Sequence, residues 1–402
     1  MRNSNFSSGF SSKVILFYGI ILVFQLLFME SLAQVYYRVT AGDWLFRRTG
    51  VAIYELDEYR NYRVKSNLSY RHTTNEFDVT YYTDRYGLRS DSRQQFVQPA
   101  KDSGAYRILF LGPSFTFGWA GDFDDIYVTR IAKQLSVKSR RIEVINLGTP
   151  SQPPAHQLCW VERVGAEFHP DMVVQTVYGS TDLIDTECSK PHDQIIVKDG
   201  YLIAAEPTML GRFLGKAKQS AIVFYGWYAY QYLITSKPHS TGMGTDFYDE
   251  KRGNRSDSAA TNDTVLYADY IKTIREHLGQ NTEVAFIYIP YSYVVRPDDA
   301  TRWSHLNNLD PIALRDKAAE VTLSLNDISI NFINPLNALI DRDKLERTYY
   351  YLDIHFTEAG NDVLADVAAP ILQKLIENHL TQKLQALELA DHDNSTSSKT
   401  AL

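Results

Sequence analysis

The chain has 402 residues, enough for one large domain or two smaller ones, and its 44% apolar and 13% aromatic content is that of a globular protein with a core. A net charge of −7 with no Lys/Arg run argues against nucleic acid as a partner. The two cysteines, Cys159 and Cys188, lack CxxC spacing, which removes a cysteine-built zinc site.

Arg2 and Lys13 precede an apolar run of about 16 residues, Val14 to Met29, followed by Glu30-Ser31-Leu32-Ala33-Gln34. Small residues at Ser31 and Ala33 fit a signal-peptidase site. The Phe and Tyr content, and the apolar character resuming at Leu32-Ala33, fit an uncleaved anchor instead. Residues 1–34 are thus a signal peptide or a membrane anchor, and in either case the rest is exported. A buried terminal helix is the bland alternative. Residues 35–98 form an extension rich in Tyr, Arg and Asn. Short alternating pieces such as Phe77 to Tyr82 predict a few strands covering the main domain without a core of their own.

From residue 99 the pattern changes. After a polar linker to Ala105, strands are predicted at Tyr106–Leu111, Arg141–Leu147, Met172–Tyr178, Glu283–Ile289 and Ile330–Ile333. Helices are predicted at Asp125–Leu135, His156–Phe168, Asp310–Leu325 and Glu358 to about His379. Alternation of this kind predicts a parallel, doubly wound α/β sheet. An insertion at about 189–262 holds a hairpin from Gln194 to Ala204 turning at Asp199-Gly200, an aromatic-rich helix from about Gly211 to Ile234, and a Gly/Ser/Asp-rich loop from Ser240 to Asn262. The domain ends near 380, and the tail 381–402 is expected to be disordered at its end.

Four features fall just past predicted strands or before the last helix. They are Gly112-Pro113-Ser114, Asn146-Leu147-Gly148, Gly179-Ser180-Thr181-Asp182, and Asp353-Ile354-His355. Ligands of open α/β sheets bind at the carboxyl ends of the strands, so these features would converge on one crevice. Ser114 alone reads first as a helix N-cap. In company it reads as a nucleophile, because a serine hydroxyl needs an imidazole to take its proton and a carboxylate to orient that imidazole. His355 and Asp353 supply both from one loop. The backbone amides of Ser114 and Gly148, with a side-chain donor from the third strand end, are candidates to hold an oxyanion.

In order and position these blocks resemble the SGNH, or GDSL, hydrolase superfamily. Its Gly-Asp-Ser block matches Gly112 and Ser114, its Asn-x-Gly block matches Asn146 to Gly148, and its Asp-x-His block matches Asp353 and His355. Tyr82 to Arg89 resembles the Asn-x-x-Gly-x-Arg lead-in of membrane-anchored bacterial members. The resemblance covers roughly residues 80–190 and 280–380. It implies a three-layer α/β/α sandwich and a serine hydrolase of short-chain or acetyl esters, with no metal and no cofactor. The substrate would be a small-molecule or carbohydrate ester met outside the cytoplasm, in the periplasm or at the cell surface. The same triad serves O-acetyltransferases of polysaccharide modification, which is the nearest rival.

Two positions depart from the family. The Asp of the first block is Pro113, which keeps the Ser114 amide available. The Asn of the third block is Thr181, whose shorter hydroxyl replaces an oxyanion-donating amide; a loss there costs about 10²–10³ in rate. A non-catalytic binding module recording lost activity is the reading these departures leave open. Cys159 and Cys188 either pair in an oxidising compartment or stay as two buried thiols. His169-Pro170-Asp171 reads as a turn, and the aromatics around Phe224 as core before a sugar platform.

Overall fold

A computed structural model describes residues 12–41, 44–45, 51–74, 76–94, 97–101, 104–136, 140–179, 187–188, 195–204, 220–226, 229, 260–301, 310–351 and 353–399. Two compact units emerge: one from residues 1–50 and 206–239, the other from 51–205 and 240–402. The extension therefore divides near residue 50. Thr181, the loop 240–259 and most of the 211–234 segment lie outside the described residues.

The larger unit is built on five parallel strands in the order β12-β11-β8-β6-β7: β6 (Ala105–Leu111), β7 (Arg141–Asn146), β8 (Met172–Tyr178), β11 (Glu283–Ile289) and β12 (Asn331–Ile333). Counted among themselves this is the 2-1-3-4-5 order of doubly wound sheets, with its reversal between β6 and β8. The central strands are apolar on both faces because helices cover both; Ile108 to Leu111, Val173-Val174 and Phe286-Ile287 are fully buried. On one side pack α3 (Tyr127–Gln134), α8 (Leu336–Asp343) and α9 (Glu358–Lys399). On the other pack α4 (Pro154–Arg163), α5 (Ala260–Leu278) and α7 (Pro311–Asp327), and the one-turn α6 (Ser292–Val295) follows β11. This is a three-layer α/β/α sandwich.

Several expectations need correction. Of the tail from residue 381, the described part is helical: α9 runs through Lys399, its continuation carried by the strong helix formers between Leu380 and Ala390. The helix expected at 156–168 stops at Arg163 and finishes as a 3₁₀ turn, Gly165–Phe168. Helix α5 begins at Ala260, inside the stretch read as loop. The hairpin of β9 (Ile195–Lys198) and β10 (Tyr201–Ala204) forms about Asp199-Gly200, both at positive φ.

The extension does have a core. Hairpin β1 (Tyr54–Asp57) and β2 (Asn61–Val64), with the sheet of β3 (Ser69–Thr73), β4 (Asp78–Thr83) and β5 (Arg89–Ser90), bury Ile53, Tyr62, Val64, Val79 and Tyr81. Phe117 and Ala120, from the turn after β6, complete that cluster. Burying these residues ties the extension to the strand end that bears Ser114.

The smaller unit contains α1 (Ser12–Ala41), which extends past the boundary expected at 34. Its stretch Ser12–Val39 is long and apolar enough to cross a membrane, by length and composition.

Candidate active site

Strand β6 ends in Gly112-Pro113, and the chain turns at once into the short helix α2 (Ser114–Phe117). Gly112 is required by close approach: a Cβ there would lie 1.9 Å from Thr116 Oγ1 and 2.8 Å from Thr176 Cβ. Pro113 fits the cap position, at φ −79°, and its carbonyl accepts from Phe117 N at 3.1 Å. The missing Asp thus leaves the turn intact. Beneath it runs a buried hydroxyl chain. Tyr127 OH lies 2.8 Å from Thr116 Oγ1 and 2.8 Å from Thr176 Oγ1.

The second block holds that turn from the side. Leu147 N donates to Phe110 O and Thr149 N to Gly112 O, extending the β6–β7 ladder past the strand ends. Asn146 Nδ2 donates to Thr116 O at 2.7 Å. Gly148 packs on α2 so tightly that a Cβ would lie 2.1 Å from Phe117 N. Its own N–H donates to Asn146 Oδ1 at 2.9 Å, so an oxyanion would have to compete with that carboxamide. The third block begins with Gly179 at φ 74°, where a Cβ would meet the Tyr291 ring at 2.0 Å. Just before it, the Tyr178 ring lies 4.7 Å from that of Phe115.

The loop before α9 folds back on itself. Tyr350 N donates to His355 O, Thr357 N donates to Thr348 O, and Tyr349 OH donates to Pro290 O beyond β11. Across this loop His355 Nε2 lies 2.6 Å from Ser114 Oγ, and Nδ1 lies 2.5 Å from Asp353 Oδ1. Asp353 Oδ1 also accepts from His355 N at 2.8 Å. His355 is only 7% exposed, with its ring between Phe115 at 4.7 Å and Trp119 at 5.7 Å. Burial alone would raise the Asp353 carboxyl; the charge of His355 and the hydrogen bonds from its ring and backbone outweigh that and hold it below the ordinary value. An ionised Asp353 accepts only, so the proton sits on Nδ1 and the Nε2 lone pair faces the serine. Ser114, His355 and Asp353 are thus in one chain of contacts.

Two residues of the extension stand beside the triad loop and the Ser114 turn without a role read from the sequence: Glu76, which no motif marks, and Arg89, which the sequence marks only as the end of the lead-in stretch. Glu76, in the β3–β4 turn, accepts from Tyr351 N at 2.6 Å and from Asp353 N at 2.9 Å. It therefore clamps the backbone on both sides of Leu352. Arg89, the last residue of the lead-in stretch, is 4% exposed and donates to Gly121 O at 3.1 Å, with its guanidinium over Tyr81 and Phe117. Burial lowers it to about 10. Asp84 and Gly87 of the same stretch make the turn that delivers Arg89: Asp84 Oδ1 accepts from Tyr86 N and Leu88 N. Near the triad, burial also lowers His72, which lies 2.9 Å from Tyr81 OH.

Cys159 and Cys188 are bonded as a disulfide, with Cα atoms 4.6 Å apart. It staples α4 to the chain beyond the third block. Among the described residues, no group of three or more His, Cys, Asp or Glu could hold a metal ion.

No family model and no curated relative matches the sequence. Among solved structures, the chain is similar to the M. smegmatis aryl esterase at 14% identity, over 67% of this chain and 100% of that one, with a TM-score of 0.34. It is similar to a carbohydrate acetylesterase family member from Sinorhizobium meliloti at 10% identity, over 68% and 99%, with a TM-score of 0.36. It is also similar to Axe2, an acetylxylan esterase from Geobacillus stearothermophilus, at 14% identity over 67% and 94%, with a TM-score of 0.34. The chain's own parallel sheet, in the 2-1-3-4-5 order with helices on both faces, makes it a doubly wound three-layer α/β/α sandwich.

Proposed function

We propose that the protein is a serine ester hydrolase acting through an acyl-enzyme on Ser114. The observation that carries this is the unbroken Ser114–His355–Asp353 contact at the carboxyl edge of the sheet. Ser114 Oγ attacks the ester carbonyl carbon while His355 Nε2 takes its proton. His355 then gives that proton to the leaving alcohol, and Asp353 holds the imidazolium meanwhile. Water, deprotonated by His355, attacks the acyl-serine; the acyl–Oγ bond breaks, the acid leaves, and His355 returns the proton to Ser114 Oγ.

The tetrahedral oxyanion needs fixed donors. Ser114 N–H, at the first position of α2, has no acceptor four residues back, so it is one donor. The Thr181 hydroxyl is proposed as another, and Gly148 N–H as a third once it leaves Asn146. The substrate is a short-chain or acetyl ester, with cell-surface carbohydrate as the alcohol; the likeness of residues 82–89 to the lead-in of anchored members supports this. The disulfide and the apolar first helix both support an oxidising, extracytoplasmic location.

The test is release of acetate from p-nitrophenyl acetate and from an acetylated oligosaccharide. Release that disappears in Ser114→Ala supports the reading. Equal rates in the wild type and Ser114→Ala contradict it, and acetyl transfer to a sugar hydroxyl in preference to water would assign the protein to the transferases.

A further inference from the structure

The first helix carries a set of polar contacts that a discarded leader has no need of. Glu30 sits immediately after the apolar run, and both its carboxylate oxygens are in use. Oε2 accepts from Ser220 Oγ at 2.7 Å and Ile222 N at 3.0 Å; Oε1 accepts from Ala221 N at 2.7 Å and Gln34 Nε2 at 2.7 Å. The donors are the cap and first amides of the helical residues 221–226, groups that a helix start leaves without partners. A carboxylate there also meets the favourable end of the helix dipole. Gln34 passes the connection on, its Oε1 accepting from Leu45 N at 3.1 Å.

A small apolar core follows on the same face. Tyr37, Leu45 and Ala221 are buried together, with Ala33, Phe224 and Tyr225 packed against them. The Tyr37 and Phe224 rings are 5.5 Å apart, and so are those of Tyr36 and Tyr225. Earlier in the helix the pattern is the opposite. Ile15 to Phe28 present exposed apolar side chains, and none of the most apolar window is buried. At a rise of 1.5 Å per residue, the 28 residues Ser12–Val39 reach about 42 Å, more than the roughly 30 Å of a hydrocarbon core. The helix thus has one stretch for lipid and a second, beginning at Glu30, for protein. Cleavage after Ala33 would remove Glu30 and strip three donors of segment 220–222 of their acceptor.

We infer that the first helix is retained in the mature protein and is the docking partner of the segment containing residues 220–226, with Glu30 as the polar anchor and Tyr37 packed on Phe224 as the apolar one. A helix held this way is a structural part of the protein as well as its attachment to the bilayer. This inference is independent of the triad.

The test uses the full chain, expressed with its own N-terminus and extracted from membranes. Its intact mass should include residues 1–34, and a mature chain starting after Ala33 overturns the inference. In Tyr37→Cys/Phe224→Cys, a short thiol cross-linker should join the two positions in most molecules, while the native cysteines stay paired. Adding Glu30→Ala should lower the cross-linked fraction several-fold, and Glu30→Gln, which keeps one accepting oxygen, should restore part of it. Cross-linking no better than in the Glu30→Ala background refutes the docking. Should the first pair disturb folding by circular dichroism, Ala33→Cys/Ala221→Cys asks the same question with smaller side chains, and its failure to cross-link counts equally against the docking.

Discussion

Glu76 lies 275 or more residues from the loop it holds and touches neither Ser114 nor His355 in any contact described above, yet removing it should slow the reaction. Its carboxylate receives the amides of Tyr351 and Asp353. Hydrogen bonds to a charged group contribute about 1.5–3 kcal/mol each when shielded. Water reaches this side of the loop, since Tyr351 is 47% exposed, so roughly half of the sum, about 1.5–3 kcal/mol, is the realistic loss. Each ~1.4 kcal/mol of positioning lost from the transition state is about tenfold in rate. Glu76→Ala should therefore lower kcat/KM on p-nitrophenyl acetate by about 10–100-fold, almost entirely in kcat, because Glu76 orients Asp353 without binding substrate. Glu76→Gln keeps a single accepting oxygen and should lose only about 3–10-fold. The labelling rate of Ser114 by a fluorophosphonate should fall in parallel. If well-folded Glu76→Ala stays within about twofold of wild type, the clamp has no part in positioning the triad.

Thr181→Val, which keeps shape but removes the hydroxyl, should lower kcat by about 10-fold, short of the 10²–10³ of a stronger oxyanion donor, and an unchanged rate excludes Thr181 from the oxyanion site. Asp353→Asn should cost about 10³-fold or more in kcat, because the imidazole loses the acceptor that fixes its proton on Nδ1. The Asp353 carboxyl is held below its ordinary value of 3.8, so its contribution to stability is complete well above pH 4 and fades as the pH falls through the lowered value. Acid unfolding should accordingly show the stability difference between wild type and Asp353→Asn narrowing below about pH 4, and a widening difference would contradict the assigned sign. The disulfide closes a separation of 29 residues, for which chain entropy gives roughly 3–4 kcal/mol; Cys159→Ala/Cys188→Ala should lower Tm by several degrees, as read by calorimetry.

The central strands were legible because a strand buried on both faces must be apolar along its whole length, as Ile108 to Leu111 and Phe286 to Ile289 are. The contact between Asp353 and His355 was legible because the two side chains sit two apart, immediately before a helix with a strong pattern. Glu76 was not: it acts by accepting backbone amides, and amides leave no mark on the sequence that an acceptor elsewhere could be matched to. The engagement of Gly148 N–H by Asn146 was hidden for the same reason. Helix α5 was not among the expected elements although it carries a signal, Tyr267, Tyr270, Ile271 and Ile274 recurring at helical spacing, because it follows directly on the Gly/Ser/Asp-rich stretch read as loop. The extension's core was obscured because its alternating strands are short and its cluster is completed by Phe117 and Ala120, which lie well beyond β4 on the far side of β6. The resemblance of residues 82–89 to a family lead-in now has a physical content: a turn built on Asp84 and Gly87 that places a buried arginine against the Gly121 carbonyl.

The central claim is that Ser114 is a nucleophile activated by His355. Incubating the folded protein with a fluorophosphonate and mapping the adduct by mass spectrometry tests it most directly. A single adduct on Ser114, absent from Ser114→Ala and formed at least about 10²-fold more slowly in His355→Ala, is the predicted result. Label on another residue, or none on Ser114 in protein that retains its fold, would contradict it.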